Sequence, residues 1–359
     1  TEADSAYAQA TWFTTDWFNL TLGLRYQEET RGITNSYLDY VPPTAGDPPN
    51  EYFKSGDQSQ NIRLTNFSAP DLEEKTFSPR IALQFFLGDN FQIFASAQRG
   101  YKSPTYNIVN FFSNPNAVEK EEATAFELGF KSDLFDQTLR LNGAIFKSKT
   151  EGLLTALVAI PSGGIVSFRN AGVAEIEGAE MDFQWQPLSN LNPGLVVSGG
   201  ATYLDAFYTE YKNGTGFDDD TGLYFGDDSL VAGSPARDFS GNKIVRTPRL
   251  SSNVSANQFI AMGDIGDLEV GVDYYYNSGY HTTPQNSPFF IQDQYETWTA
   301  RLSYFYDPAG IQVTAYVNNA KDKVYSQAII QQDFGRTVSL APPRTYGLKL
   351  KWDFSNFFF

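Results

Sequence analysis

Apolar and polar positions alternate through most of the chain. Residues 344–354 show it most plainly. Tyr346, Leu348, Leu350, Trp352 and Phe354 occupy one face, and Gly347, Lys349, Lys351 and Asp353 the other. A period of two with one hydrophobic side predicts a half-buried β-strand. The same pattern predicts 13 strands, near 4–13, 17–29, 76–87, 91–101, 122–133, 137–150, 172–186, 194–209, 247–261, 267–279, 294–306, 311–325 and 343–354. Short connections rich in turn residues fall at 14–16, 88–90, 133–136, 187–193, 263–266 and 307–310. Long ones fall at 30–75, 102–121, 151–171, 210–246, 280–293 and 326–342. Short turns on one side and long loops on the other predict an all-β fold, an antiparallel transmembrane β-barrel with the long loops extracellular.

The faces are consistent from strand to strand. In 298–306, Trp298, Ala300, Leu302, Tyr304 and Tyr306 form a lipid face, opposite Thr297, Thr299, Arg301, Ser303 and Phe305. In the next strand Ile311, Val313, Ala315 and Val317 face out, against Gln312, Thr314, Tyr316 and Asn318. Arg140, Arg301 and Lys349 fall on the lumen face, where water or a plug solvates them; near the lipid midplane each would cost about 2–4 kcal/mol. With Phe354 at the periplasmic side, thirteen alternating strands place Thr1 at the extracellular side. Single-chain bacterial barrels have an even strand number. The expectation is therefore a C-terminal piece of a larger barrel.

Composition narrows the picture without changing it. The 359 residues contain no stretch of about 18 apolar residues, so no helical span is expected. A mean hydropathy of -0.36 is compatible with membrane strands, which hide apolar residues by alternation. The net charge of -16 disfavours nucleic acid as a partner. There is no cysteine, which excludes a disulfide scaffold, and His281 is the sole histidine. No signal peptide opens the sequence, as expected of a processed or truncated exported chain.

No catalytic constellation is present, so an enzyme is not expected, and no cofactor is implied. A multi-histidine metal site is impossible and a histidine triad has only His281 to build on. That residue reads as an exposed loop residue or a ligand contact. Asp218, Asp219, Asp220, Asp227 and Asp228 form an acidic, glycine-containing loop, either solvated or a calcium site, without EF-hand spacing. The loop aromatics Tyr106, Phe111, Phe112, Tyr224, Phe225, Tyr280, Phe289 and Phe290 are the best ligand-binding candidates. Their alternatives are a membrane-boundary girdle and loop-on-loop packing. Arg99 and Lys102 suit an anionic ligand or lumen ion pairs with Glu127 or Glu121. The glycines at 129, 143, 178, 199 and 200 read as sites of barrel curvature. The Phe357–Phe359 run reads as an interface anchor or a terminal extension.

Several motifs, in order, resemble the C-terminal barrel half of TonB-dependent outer-membrane transporters. They are Phe77-Ser78-Pro79-Arg80-Ile81-Ala82 followed by Tyr101-Lys102-Ser103; Phe126-Glu127-Leu128-Gly129-Phe130-Lys131; Asn170-Ala171-Gly172 with Ile176, Gly178 and Glu180; Asn318-Asn319 with Asp322 and Tyr325; and Pro343-Arg344-Thr345-Tyr346-Gly347. Thr345, Gly347, Leu350, Trp352 and Phe354 also resemble the C-terminal signal read by the barrel assembly machinery. Residues 1–354 would then be a partial barrel and 355–359 a short tail. The resemblance implies about 22 strands in the complete barrel, with the plug domain, the TonB box and the earlier strands outside this sequence. Pro104, where the family commonly has glycine, and the tail depart from the pattern. The implied partners are the TonB energy-coupling complex (through the plug), outer-membrane lipid and a small-molecule ligand such as a ferric siderophore. Cobalamin or an oligosaccharide are alternative ligands. A passive porin, an adhesin-like barrel and a soluble β-sandwich are the rival readings.

Overall fold

The computed structural model describes residues 1–40, 62–107, 115–159, 165–170, 172–226, 235–332 and 335–353. Thirteen strands form one antiparallel sheet: β1 (Glu2–Thr15), β2 (Phe18–Tyr40), β3 (Ile62–Phe86), β4 (Phe91–Lys102), β5 (Glu121–Leu134), β6 (Leu139–Glu151), β7 (Val173–Trp185), β8 (Leu195–Glu210), β9 (Leu250–Ala261), β10 (Asp267–Asn277), β11 (Tyr295–Tyr306), β12 (Ile311–Asn318) and β13 (Thr345–Trp352). Every strand pairs with its neighbour in sequence, so β1 and β13 are the two edges. Each of the 13 expected segments coincides with one of these strands. Phe354 lies outside the described residues.

One face of the sheet is apolar and exposed, the reverse of a soluble domain. Leu22, Leu128, Ile145, Val254, Val270, Leu302 and Leu350 all stay exposed on it. The other face is polar and cross-linked. On it the Arg301 guanidinium donates to Asp273 (2.6 Å) and to Asn257, Ser255 donates to Asp273 (2.6 Å), Asn142 donates to Asp182 (2.9 Å), and Ser303 bonds Thr314 (2.9 Å). Charges enter the apolar face only at the long-loop ends of strands, as Arg99–Glu122 (3.1 Å), Lys147–Glu175 (3.0 Å) and Lys149–Glu151 (2.6 Å). Lys102 pairs with Glu121 (3.4 Å) as expected. Arg99 takes Glu122 instead of Glu127, because position 99 falls on the apolar face in this register.

Five of the strand glycines lie beneath aromatic rings. Phe94 is the cross-strand partner of Gly129, Phe130 of Gly143, Phe146 of Gly178, Phe183 of Gly199 and Tyr316 of Gly347. In each pair the ring lies where a Cβ would go, for instance 2.8 Å from it at Gly143 and 2.9 Å at Gly178. A ring folded over a glycine fixes register and fills the surface the glycine leaves bare. Gly178→Val would also press on the Tyr203 carbonyl of β8. It should lower the unfolding free energy in urea by about 1–3 kcal/mol, and an unchanged midpoint would contradict this role.

The largest departure from the sequence pattern is the hairpin β2–β3. Positions 30–75 were expected as a connection, but pairing continues to Tyr40 and Ile62. Strands of 23 and 25 residues far exceed the roughly 9–11 needed to cross a bilayer. Beyond the apolar band lipid imposes no period of two, so none marks the extension. Its root is tied down: Glu29, only 5% exposed, accepts bonds from Gln27, Arg31 and Ser103, and Lys120 pairs with Glu74 (2.7 Å). The other departure is shorter. β12 stops at Asn318 because Asn319 takes a left-handed conformation (φ 48°) and its side chain bonds Lys323 N (2.8 Å) and Lys323 O (2.9 Å) across the turn.

Candidate functional site

The long connections carry short hairpins, and three of them interlock into one body. Gly216–Phe217 pairs with Tyr224–Phe225, Tyr280–His281 with Ile291–Gln292, and Ser326–Gln332 with Gly335–Leu340. Asp219 accepts bonds from Gln285 Nε2 (3.0 Å) and Ser287 Oγ (2.7 Å), joining the first hairpin to the second. Asn286 accepts from Lys243 N (2.7 Å) and donates to Lys243 O (2.9 Å), and Arg246 N donates to His281 O (2.9 Å). Gln331 reaches Phe217 O, Arg336 reaches Phe289 O (2.8 Å), and Ser326 N donates to Gln292 (2.7 Å).

Under these hairpins lies a buried aromatic cluster of Tyr208, Tyr211, Phe225 and Phe239 with Ala174. Tyr211 meets Phe239 edge-on at 5.2 Å, and Phe225 meets Phe239 at 6.1 Å. The Arg237 guanidinium lies 3.9 Å from the Phe225 ring centre and is ion-paired to Asp218 at 2.6 Å. That arginine, with bonds from the Thr221 and Asp220 amides, holds the Asp218 carboxyl well below the usual carboxylate range.

The expected site residues fall into three settings. Phe225 is fully buried and Tyr224 is 7% exposed, so as packed they serve the loop core. Tyr106 donates to Pro70 O of β3, tying a neighbouring loop to the tall hairpin. Tyr280 and His281 are half-buried and line a cavity of about 800 Å³ together with Lys243, Arg249, Asp293 and Lys323. Of the acidic residues, Asp218 and Asp219 are occupied by the bonds above, and Asp220 is exposed. No group of three or more His, Cys, Asp or Glu able to hold a metal occurs among the described residues. Phe111, Phe112, Asp227 and Asp228 lie outside them. The exposed pair Leu350 and Trp352 sits on the apolar face of β13, with Thr345 facing Asn318 (3.3 Å) on the other.

Sequence reasoning missed Lys243, Arg249 and Lys323. Lys243 and Arg249 share one connection and Lys323 lies on another, and only the folding together of the loops brings them to one cavity. The motif residues, by contrast, turn out to be fasteners. Asn170 accepts from Glu119 N (2.8 Å) and donates to Gly152 O (2.7 Å), Asp322 accepts from Arg344 N (2.8 Å), and Tyr325 stacks on Tyr295 at 4.2 Å.

Burial, with the nearby Lys243 charge, lowers the His281 pKa below its ordinary 6.5. The folded loop therefore holds a neutral imidazole where the opened loop would take a proton. The His281 contribution is complete above pH 6.5 and is lost as pH falls below it, because the opened form binds the proton first. Hydrogen exchange of residues 280–292 should accelerate between pH 7.5 and 5.5 beyond the intrinsic chemistry, and His281→Gln should remove that excess. An identical pH response in the variant would contradict the assignment.

Comparison with known proteins agrees with this architecture. Residues 1–320 match the family model described as TonB dependent receptor-like, beta-barrel. The pesticin receptor of Yersinia enterocolitica is 24% identical over 356 residues, covering 94% of this chain and 43% of its own length. The ferric yersiniabactin uptake receptor FyuA of Yersinia pestis superposes with a TM-score of 0.72 at 17% identity, over 97% of this chain and 45% of that one. The siderophore receptor PiuA of Acinetobacter baumannii gives 0.65 at 19%, over 97% and 42%. The chain thus spans less than half the length of the curated relatives it matches. With its continuous antiparallel sheet and apolar outer face, the chain belongs to the TonB-dependent receptor β-barrel family of the bacterial outer membrane.

Proposed function

We propose that the protein of which this sheet forms the wall imports a scarce nutrient, a ferric siderophore foremost, with energy delivered by TonB. The observation that carries this reading is the interlocked loop body over the sheet, whose half-buried Tyr280 and His281 open onto a cavity large enough for a chelate. Small-molecule sites commonly measure about 300–1,000 Å³. Relatives named as siderophore and ferric yersiniabactin receptors support the choice of ligand. The loops bind the ligand from outside, and the polar face around Arg301 lines the way inward. There the family likeness implies a plug that rearranges when TonB pulls, with no covalent step. The edges β1 and β13 present unpaired backbone groups that lipid does not tolerate, so further strands complete the wall in the membrane.

The test is uptake of radiolabelled iron, supplied as ferric siderophores, by iron-starved cells whose other receptors have been deleted. Import should require this protein. Equal import by cells lacking it would refute the iron reading and bring cobalamin or oligosaccharide forward.

A further inference from the structure

The wall parts between β3 and β4. These strands pair from Phe86 and Gln92 only as far as Arg80 and Gln98. Beyond that point each continues with its other neighbour, β3 with β2 as far as Ile62 and β4 with β5 as far as Lys102, so Arg99 to Lys102 have no ladder to β3. In a continued register Pro79 would face Arg99, and proline, with no N–H to donate, belongs at such an edge. Gly100 is the one glycine of the thirteen strands with no atom within 4 Å of where a Cβ would stand. The seam starts where the apolar rows end, with Ile81 and Ala97 the last outward pair before Pro79 and Arg99. Above the hydrocarbon, water satisfies unpaired backbone groups that lipid would leave bare.

Among the described residues three side chains span the seam, all from the connection after β4. Ser103 donates to Glu29, Lys120 pairs with Glu74 (2.7 Å), and Tyr106 donates to Pro70 O. Glu29 and Glu74 are direct cross-strand partners, and like charges so placed repel. Gln27 and Arg31 relieve Glu29 from within the hairpin, whereas the cation on Glu74 comes from across the seam. Inside the hairpin the joining is a ladder, reinforced by Lys75–Glu28 (2.8 Å) and by the Tyr26 ring 5.0 Å from Phe77. Single hydrogen bonds and half-exposed ion pairs are weak beside a ladder. The hairpin is thus stiff in itself and fastened to β4 above Arg80 by breakable bonds alone.

We propose that this seam is a hinged and latched opening in the barrel rim. The β2–β3 hairpin swings away from β4 about Arg80 when Ser103 leaves Glu29 and Lys120 leaves Glu74, and the mouth above the lumen widens. The hairpins at 216–225, 280–292 and 326–340 are bonded to one another and lack that freedom. The use of the seam to admit ligand rests on the import reading; the motion itself does not.

The experiment measures distance by pulsed electron spin resonance on the complete receptor purified from outer membranes, with spin labels at Glu73→Cys and Gly100→Cys, both exposed, and any cysteine outside this sequence replaced. Two distances should appear, and the share of the longer should rise about fivefold or more when Ser103→Ala and Lys120→Gln cut the latch. The latch variants should keep their folded mobility in unheated gels. A short disulfide-linked cross-linker joining Glu74→Cys to Lys120→Cys should abolish the longer distance and slow uptake of labelled ferric siderophore by cells until reductant cleaves it. The same linker joining Glu28→Cys to Lys75→Cys, within the hairpin, should leave uptake unchanged. A single distance indifferent to the latch variants would overturn the hinge, and equal uptake with the seam locked and unlocked would overturn its part in entry. Failure of the import reading shows separately, as labelled iron that the unlinked receptor does not take up.

Discussion

Replacing Phe225 with alanine is expected to cost about 3–5 kcal/mol, confined to the loop body. The ring is fully buried, meets Phe239 edge-on, and is the platform on which Arg237 rests while it pairs with Asp218. Its loss leaves a void beneath the hairpin that carries Asp219, whose bonds to Gln285 and Ser287 join two loops. Hydrogen exchange should rise across residues 211–226 and 280–292 while strands β9 to β12 keep their protection. Ligand affinity should fall with it, although Phe225 itself has no surface to offer a ligand. Unchanged exchange in both loops would show that the cluster does not hold the loop body together.

Leu302→Arg is expected to lower the stability of the folded barrel in lipid by about 2–4 kcal/mol. Leu302 lies mid-strand in β11, 47% exposed, between Val270 and Ala315 on the apolar face. A charge there must be solvated in hydrocarbon or pull the strand out of place. Its neighbour Arg301 carries the same charge without penalty, because it faces Asp273, Asn257 and Glu269 (3.6 Å) on the polar side. The control is Thr314→Arg, on that polar side, which should cost far less. Urea titrations of the complete receptor in bilayers measure both. Equal costs would mean that the two faces see the same medium.

These two residues also mark what the sequence makes legible. Leu302 is readable because lipid imposes an apolar period of two, and the same rule revealed all thirteen strands. Phe225 is not readable, since a buried loop aromatic and an exposed ligand-stacking one leave the same trace in a single chain. Where lipid contact ends, the pattern ends too, so the β2–β3 extension looked like a loop. The cross-strand pairs Phe94–Gly129 and Phe146–Gly178 needed the register before they meant anything. The cavity bases needed more still. Lys243 and Lys323 lie 80 positions apart in the sequence and come to line one cavity only through turns fixed by Asn286 and Asn319.

The most direct measurement for the account is the energy dependence of import. Cells taking up labelled ferric siderophore through this receptor should stop when TonB is removed or the proton gradient is collapsed, while surface binding of the ligand continues. Import that persists at the same rate under both treatments would contradict TonB-driven transport, and the wall would then belong to a passive pore.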